Sequence, residues 1–265
     1  HLPRRRLGEK LMYYVELMFV RSRIYWYVGI ILIIAAVFLY FVTFPPAGAH
    51  IHNGGQDIPL NALLIGASWF ACIMASMISS TLNRDQSHLP YMWTKPVPRE
   101  RIALSYIAID VLTILFAYGF VLLVGAAVLA VPPRNHMLTD DLTIPFLLRT
   151  LAIPLMLYGI VEVATSWSQL RLGSAVGIYW GGAWTMLLLS GLHLPAPLGP
   201  LVTVVNLINP LAYFPEEHSH GVHIVTGGAA MHLIAMPFGV TTALAYCIFV
   251  ASIAVAIYNW KRMEA

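Results

Sequence analysis

The sequence contains few charged residues and only two cysteines. Aspartate, glutamate, lysine and arginine together make up 10% of the 265 residues, whereas hydrophobic residues make up 59%. Soluble domains carry about 25% charged residues, so this composition excludes an ordinary water-soluble domain and indicates lipid as the surrounding solvent. Cys72 and Cys247 both lie in apolar runs. They are interpreted as small buried hydrophobes, and neither a disulfide framework nor a cysteine zinc site is indicated.

A second absence concerns nucleotide chemistry. The sequence contains no G-x-x-x-x-G-K-[ST] phosphate-binding loop. We therefore expect no ATP hydrolysis by this chain alone, no enzymatic activity and no cofactor of its own. Nucleic acid is not an expected partner.

Apolar runs long enough to cross a bilayer recur along the chain. A helix of about 20 residues spans the hydrocarbon core. The pattern predicts a single all-α integral membrane domain over residues 1–265, with six transmembrane helices in the lipid bilayer. The predicted spans are Ile24–Phe44, Pro59–Thr81, Ile102–Val131, Pro145–Ser168, Leu172–Leu192 and Pro237–Tyr258.

Basic residues are concentrated on one side of this predicted topology. Thirteen of the fifteen lysines and arginines precede span one, follow span six, or lie between spans two and three or four and five. Arg134 and Arg149 fall on the other side. Because cytoplasmic connections are enriched in Lys and Arg, both termini are predicted to be cytoplasmic, with the chain in the inner (plasma) membrane.

Two segments outside the spans also carry apolar patterns. Residues 1–23 place Leu7, Leu11 and Tyr14 on one helical stripe. This stripe predicts an amphipathic helix in the inner headgroup plane, and a basic flank that anchors span one is the alternative. The outer segment 193–236 contains LGPLVTVVNLINPLAYF, an apolar run too short to span and interrupted by prolines. It predicts short re-entrant or outer-leaflet helices before the last span.

The segment 82–101, between spans two and three, is rich in charge, proline and aromatic side chains. These features fit either a docking surface or a solvated positive-inside loop. The segment resembles the cytoplasmic loop of the type-2 ABC transporter permease family, in which a stretch like E-R-E-S-G-T-L…L-P-V-S-R…R-I follows the second span. The matching residues are Arg84, Asp85 and Leu89, then Pro96, Val97, Pro98, Arg99, Arg101 and Ile102. Ser87, His88 and Pro98 stand where glycine, threonine and serine are usual.

The resemblance implies that this loop is a coupling helix seated in a cleft of a separate cytoplasmic ABC ATPase, which binds ATP and Mg. Closure of two ATPase subunits would then move the spans and export a substrate that the sequence does not identify. A second copy of this chain or a homologous permease would complete the pathway. The residues to which the coupling role falls are Arg84, Asp85, His88, Leu89, Tyr91, Trp93, Lys95, Arg99 and Arg101.

Two acidic residues lie well inside predicted spans, Asp110 in span three and Glu162 in span four. A charged side chain at such a depth costs about 2.5–3.5 kcal/mol, so each acid needs a partner, a proton or access to water. One interpretation is that they line an inner vestibule and serve transport. The other is that they pair with Arg101 or Arg171 near the inner boundary.

Small residues recur every four positions in two predicted spans. Such spacing lets helix backbones approach closely in lipid. It predicts helix packing, either inside one subunit or at the seam between two copies. The positions are Gly173, Gly177 and Gly181 in span five, and Ala67, Ala71, Ala75 and Ser79 in span two.

Histidines are concentrated on the predicted outer side. The stretch PEEHSHGVH places His218, His220 and His223 close together. Imidazole suits copper, zinc or nickel, and a solvated, titrating loop is the alternative. A metal-handling accessory subunit of a larger membrane complex is therefore the rival to the transporter.

Overall fold

The computed structural model describes residue 29 and residues 60–79, 99–130, 144–167, 172–192, 197–214 and 237–262. These residues contain helices and no strand. All of them except Gly29, which is helical, belong to one unit formed by residues 53–265. Predicted span one apart from Gly29, the lead-in 1–23 and residues 82–98 of the loop lie outside the described residues, as do residues 215–236. The α-helices are α1 (Leu60–Ile78), α2 (Arg99–Ala130), α3 (Ile144–Trp167), α4 (Leu172–Ser190), α5 (Leu198–Asn206) and α6 (Phe238–Arg262).

Each of predicted spans two to six coincides with one of these helices to within four residues at either end. Three of the helices, α2, α3 and α6, are long and apolar enough to cross a membrane. A shorter apolar stretch, Leu63–Ile78, lies in α1. The apolar run before the last span forms α5 and a 3-10 helix, Pro210–Tyr213. The helical content of these segments is thus as predicted.

The outward faces of the long helices carry large apolar side chains. Leu112, Phe116 and Leu123 on α2 are each more than 60% exposed, and so is Val250 on α6. Monomeric soluble proteins rarely expose apolar patches of this extent, whereas lipid solvates them without cost. The exposed surface therefore fits a bilayer.

Helix α3 is central to the unit. More than half of its residues are buried, and it contacts α1, α2, α4, α6 and the 3-10 helix. Its most extensive contact is with α6. There, a Cβ on Gly159 would lie 3.0 Å from the Ser252 Cβ and 3.2 Å from the backbone oxygen of Phe249. Gly159 therefore lets the two helices approach more closely than any side chain allows.

A proline inside α3 explains how three helices are joined. Pro154 has no N–H, so the carbonyl of Thr150, four residues earlier, receives no hydrogen bond from its own helix. The Ser68 hydroxyl of α1 donates to this carbonyl at 2.6 Å. The Tyr118 hydroxyl of α2 lies 2.7 Å from Thr150 Oγ1. Both neighbouring helices therefore hydrogen-bond to α3 at Thr150, the point at which the proline interrupts its bonding.

Ser68→Ala is expected to lower the free energy of unfolding by about 1–3 kcal/mol, because it leaves the buried Thr150 carbonyl without a donor. In a Pro154→Ala background the same change is expected to cost less than about 0.5 kcal/mol, because the alanine introduced there supplies an N–H that bonds to the Thr150 carbonyl. Denaturant unfolding of the four proteins in detergent measures this cycle. Ser105→Ala, which removes an exposed hydroxyl bonded within its own helix, is the control. Equal costs of Ser68→Ala in both backgrounds would contradict the explanation.

The outer segment is tied to α4 by buried amides. Asn209 Nδ2 donates to the carbonyl of Ala183 at 2.9 Å, and its Oδ1 accepts from Leu211 N–H at the start of the 3-10 helix. Burial raises the pKa of the Tyr213 phenol to about 12, so this hydroxyl stays protonated and donates to the Leu207 carbonyl at 2.6 Å. The turn between α5 and the 3-10 helix is therefore fixed by side chains as well as by its own backbone.

A stack of aromatic rings packs α1 against α4. The Trp69 ring lies nearly parallel to those of Trp180, Trp184 and Phe214, with centroid distances from 4.4 to 6.0 Å. The Trp180 indole N–H also donates to Ser76 Oγ at 2.9 Å. A tryptophan ring buries a large apolar area while its indole N–H can form a hydrogen bond, which suits a helix interface in lipid.

Candidate functional site

Asp110 and Tyr158 join α2 to α3 inside the apolar bundle. The Tyr158 hydroxyl donates a hydrogen bond of 2.9 Å to Asp110 Oδ2, and both side chains are buried. Glu162 follows Tyr158 by four residues, so it lies on the same stripe of α3, and it is fully buried. We call Asp110, Tyr158 and Glu162 the carboxyl cluster. Acidic side chains inside membrane helices are costly, and such residues commonly mark paths for ions, protons or substrates.

Further polar side chains lie between the carboxyl cluster and the end of the bundle at which α2 begins. The Asn259 amide of α6 donates to Ser166 Oγ of α3 at 3.5 Å, one turn beyond Glu162. At that end, Lys261 of α6 forms an ion pair with Glu100 of α2, and both side chains are about half exposed. Polar side chains on α2, α3 and α6 thus lie between the cluster and this end of the bundle.

Arg101 and Arg171 were the cations expected to pair with these acids, and pairing with Arg171 stays a prediction. Arg101 has an exposed side chain and precedes Asp110 by nine residues. That spacing places it on the opposite side of α2, about 13.5 Å away along the helix axis. Arg171 lies outside the described residues. One hydrogen bond to Asp110 comes from Tyr158, a residue that the sequence analysis did not single out.

The loop expected to dock on an ATPase is described only at its end. Helix α2 begins at Arg99, and the side chains of Glu100 and Arg101 are exposed. Because Arg99 and Asp110 belong to one continuous helix, the loop and the carboxyl cluster are joined by about 16.5 Å of α2. The loop residues outside the described part of the chain are Arg84, Asp85, His88, Leu89, Tyr91, Trp93 and Lys95.

The two small-residue stripes lie in different surroundings. Ala67, Ala71 and Ala75 of α1 are fully buried, so this stripe packs inside the subunit. Gly173, Gly177 and Gly181 of α4 are exposed, and no atom of the described residues lies within 4 Å of the position that a Cβ would occupy. Within the described part of the chain the glycine stripe therefore makes no close contact. Packing of this stripe against a second copy stays a prediction.

No group of three or more His, Cys, Asp or Glu side chains that could hold a metal ion is present among the described residues. His218, His220 and His223 lie outside them. Both cysteines are free thiols. Cys72 is buried in α1 as interpreted, but the interpretation of Cys247 as buried is wrong, because it lies on an exposed face of α6. The metal site stays a prediction.

Three organising contacts were not predicted, although each has a signal in the sequence. Tyr158 precedes Glu162 by one turn, which places a phenol beside an acid on the same helical stripe. Pro154 inside an apolar run implies a freed carbonyl that needs a foreign donor. Arg149 was counted only as a charge on the outer side. The structure buries it and bonds its Nε to the Tyr213 carbonyl at 2.8 Å.

The helices define the broad class of the molecule. Its described part is all-helical, with apolar outward faces and three helices that are long and apolar enough to cross a membrane, as in an integral membrane protein. Comparison of the chain with known protein families, with curated proteins and with solved structures finds no match.

Proposed function

We propose that this chain is the membrane subunit of an ATP-driven transporter, of the kind that the loop motif resembles, and that a separate ATPase subunit powers it. In this proposal the chain has six spans, both termini lie in the cytoplasm, and the membrane is the inner or plasma membrane. The exposed glycine stripe of α4 packs against a second copy or a homologous permease. The substrate stays unidentified.

The observation that carries the proposal is the position of the carboxyl cluster relative to the loop. The loop ends at Arg99, the first residue of the helix that holds Asp110. Asp110 in turn is hydrogen-bonded to Tyr158 of the central helix, which contacts most of the other described elements. In this proposal, a force applied to the loop is transmitted along α2 to the buried hydrogen bond between Tyr158 and Asp110. A structural anchor in lipid would not need acids there.

We expect the full-length chain, purified in mild detergent from its native membrane, to bring with it a chain that contains G-x-x-x-x-G-K-[ST] and hydrolyses ATP. Trp93→Ala and Arg84→Glu are each expected to lower recovery of that chain at least about tenfold, because buried aromatic and arginine anchors dominate such interfaces. Mass spectrometry and ATP hydrolysis of the purified complex are the measurements. Leu123→Ala, at an exposed position near the far end of α2, serves as the matched control.

The same purification separates the transporter from its rival. Recovery of redox subunits without any nucleotide-binding chain would favour an accessory membrane subunit and contradict the transporter. Loss of the ATPase in the Leu123→Ala control, to the same degree as in the loop variants, would show that the loop is not the contact.

A further inference from the structure

Helices α2 and α6 meet at the end of the bundle where α2 begins and α6 ends. There Lys261 of α6 forms an ion pair with Glu100 of α2, and both side chains are about half exposed. Arg101 follows Glu100, Arg262 follows Lys261, and both arginines are exposed. We call these four residues the basic patch. They comprise three cations and one carboxylate, so together they carry a net charge of +2.

Exposed apolar side chains continue from the basic patch along both helices. Residues three or four apart share one face of a helix. The stripe of α2 that begins at Glu100 and the stripe of α6 that ends at Lys261 are exposed at each of the following positions. The α2 stripe contains Leu104, Ala108 and Leu112, and the α6 stripe contains Tyr258, Ala254 and Ala251. Because both stripes start from the ion pair, they form one apolar surface, which we call the α2–α6 seam.

The middle of the α2–α6 seam is made of small side chains. Ala108 lies about 12 Å along α2 from Glu100, and Ala254 lies about 10.5 Å along α6 from Lys261, so the two alanines are at nearly the same depth. The two helices are in contact, and both alanines are exposed. Small exposed side chains on adjacent helices leave room for a hydrocarbon chain to lie against both.

An aromatic ring lies between the seam and the charges. The Tyr258 side chain is 51% exposed, and the guanidinium carbon of Arg262 lies 4.4 Å from the centre of its ring. Helix α6 has 25 residues and is therefore about 37 Å long, whereas the hydrocarbon core of a bilayer is about 30 Å thick. Its last turn can therefore reach the lipid headgroups, the level at which tyrosine is enriched. The ring covers one face of the guanidinium and leaves the N–H edge available to an oxyanion.

We propose that the basic patch and the α2–α6 seam bind an anionic phospholipid of the leaflet at this end of the bundle. The guanidinium groups of Arg101 and Arg262 donate to the phosphate oxygens, since arginine presents paired N–H donors. The acyl chains lie along the seam, beside Ala108 and Ala254. The positive charge of the patch favours an anionic headgroup over a zwitterionic one. This site does not depend on the proposed transport.

The test uses the purified full chain in dodecyl maltoside, a detergent without phosphate. Phosphatidylglycerol and phosphatidylcholine with the same acyl chains are added in separate arms, and glycerol phosphate is added in a third. Native mass spectrometry counts the retained lipid, and tryptophan fluorescence follows the thermal unfolding midpoint. We expect the wild type to retain phosphatidylglycerol at least about tenfold more than phosphatidylcholine, because two arginines act on its charge. The midpoint should rise with phosphatidylglycerol and not with glycerol phosphate.

The charges are tested by substitution in the basic patch. Arg101→Gln combined with Arg262→Gln is expected to lower retention of phosphatidylglycerol at least about tenfold and to leave retention of phosphatidylcholine unchanged. Glu100→Gln raises the positive charge of the patch, so this variant should retain at least as much phosphatidylglycerol as the wild type. All three side chains are exposed, and the unfolding midpoint without lipid should therefore stay near that of the wild type.

Ala254→Phe tests the seam separately from the charges. The phenyl ring would occupy the room beside Ala108, and we expect retention of phosphatidylglycerol to fall at least about threefold because the acyl chain loses contacts with both helices. Ala243→Phe is the matched control. Ala243 is also exposed on α6, about 16.5 Å from Ala254 toward the other end of the helix. This control should retain lipid as the wild type does.

Equal retention of the two phospholipids by the wild type would overturn the proposal, and so would undiminished retention of phosphatidylglycerol by the double arginine variant or by Ala254→Phe. A rise of the midpoint with glycerol phosphate would assign the patch to a soluble anion. Dimers in lipid-free detergent that Ala254→Phe abolishes and Ala243→Phe keeps would assign the seam to a second copy. Loss of a co-purifying ATPase from the double arginine variant, with lipid retention unchanged, would assign the patch to a protein partner.

Discussion

Gly159→Leu is expected to destabilise the described unit by about 3 kcal/mol or more, the largest effect of any single apolar substitution proposed for this chain. The new side chain has no space, because even a Cβ would meet Ser252 and the backbone oxygen of Phe249. Backbone atoms cannot rotate away, so α3 and α6 would have to separate along their most extensive contact. The unfolding free energy in detergent, measured by denaturant titration, tests this expectation.

The exposed glycines of α4 provide a control, because a larger side chain there is expected to increase stability instead of lowering it. Gly177→Ala is expected to stabilise the monomer by up to about 1 kcal/mol, because alanine favours helix and nothing in the described part of the chain lies within 4 Å of its Cβ. Gly159→Ala should not gain this stability. If both alanine variants were stabilised alike, the close approach of α3 to α6 would not limit stability. Gly177→Leu additionally tests the predicted seam, since loss of a dimer without loss of monomer stability supports it.

In the proposed transporter, Glu162→Gln is expected to lower ATP-driven activity at least about tenfold, equivalent to about 1.4 kcal/mol of activation free energy, while the amount of protein and its unfolding midpoint stay unchanged. Glutamine preserves the shape and polarity of the side chain but cannot release a proton or carry a charge. Because Glu162 is fully buried one turn from Tyr158, a role in moving charge or polar substrate requires its carboxyl group. ATP hydrolysis by the purified complex, reconstituted in liposomes, is the measurement.

Thr113→Val is the matched control for Glu162→Gln. Thr113 is buried in α2, one turn after Asp110, and its hydroxyl donates to the Ile109 carbonyl of its own helix at 2.8 Å. We expect activity near that of the wild type. Full activity of Glu162→Gln would show that the carboxyl cluster is a structural feature. Loss of folded protein in Glu162→Gln would equally contradict a purely functional role.

The positions of the helices were predictable because lipid imposes a simple rule on the sequence. A membrane-spanning helix must be apolar over about 20 residues, so the helices near Pro59–Thr81 and Pro237–Tyr258 could be predicted from apolar composition alone. The helical form of the outer run near Pro210 followed from the same apolar character. Nothing in this rule specifies which face of a helix meets which neighbour, since that depends on the rotation of each helix and on its partner.

The contacts of the candidate site were less predictable, because they depend on how each helix is rotated toward its neighbours. Spacing identified the stripes of α1 and α4 as equivalent, yet Ala71 is fully buried and Gly177 is exposed. The close approach to α6 occurs at Gly159, a single glycine without a repeat. For Asp110 the sequence predicted a partner, a proton or access to water, without naming Tyr158. The hydrogen bond from Tyr158 depends on the relative heights of α2 and α3, which no pattern within one helix contains.

The bond from Ser68 to the Thr150 carbonyl has a mechanical consequence. A segment that takes a donor from its neighbour cannot shift lengthwise without breaking that attachment, so α1, α2 and α3 are pinned together near one level of the bilayer. Helix α6 is also bonded to α3 at two levels, by the Tyr246 hydroxyl to the Leu148 carbonyl at 2.9 Å and by the Asn259 amide to Ser166 Oγ at 3.5 Å. Axial movement of α1, α2 or α6 would therefore either break a hydrogen bond to α3 or carry α3 with it.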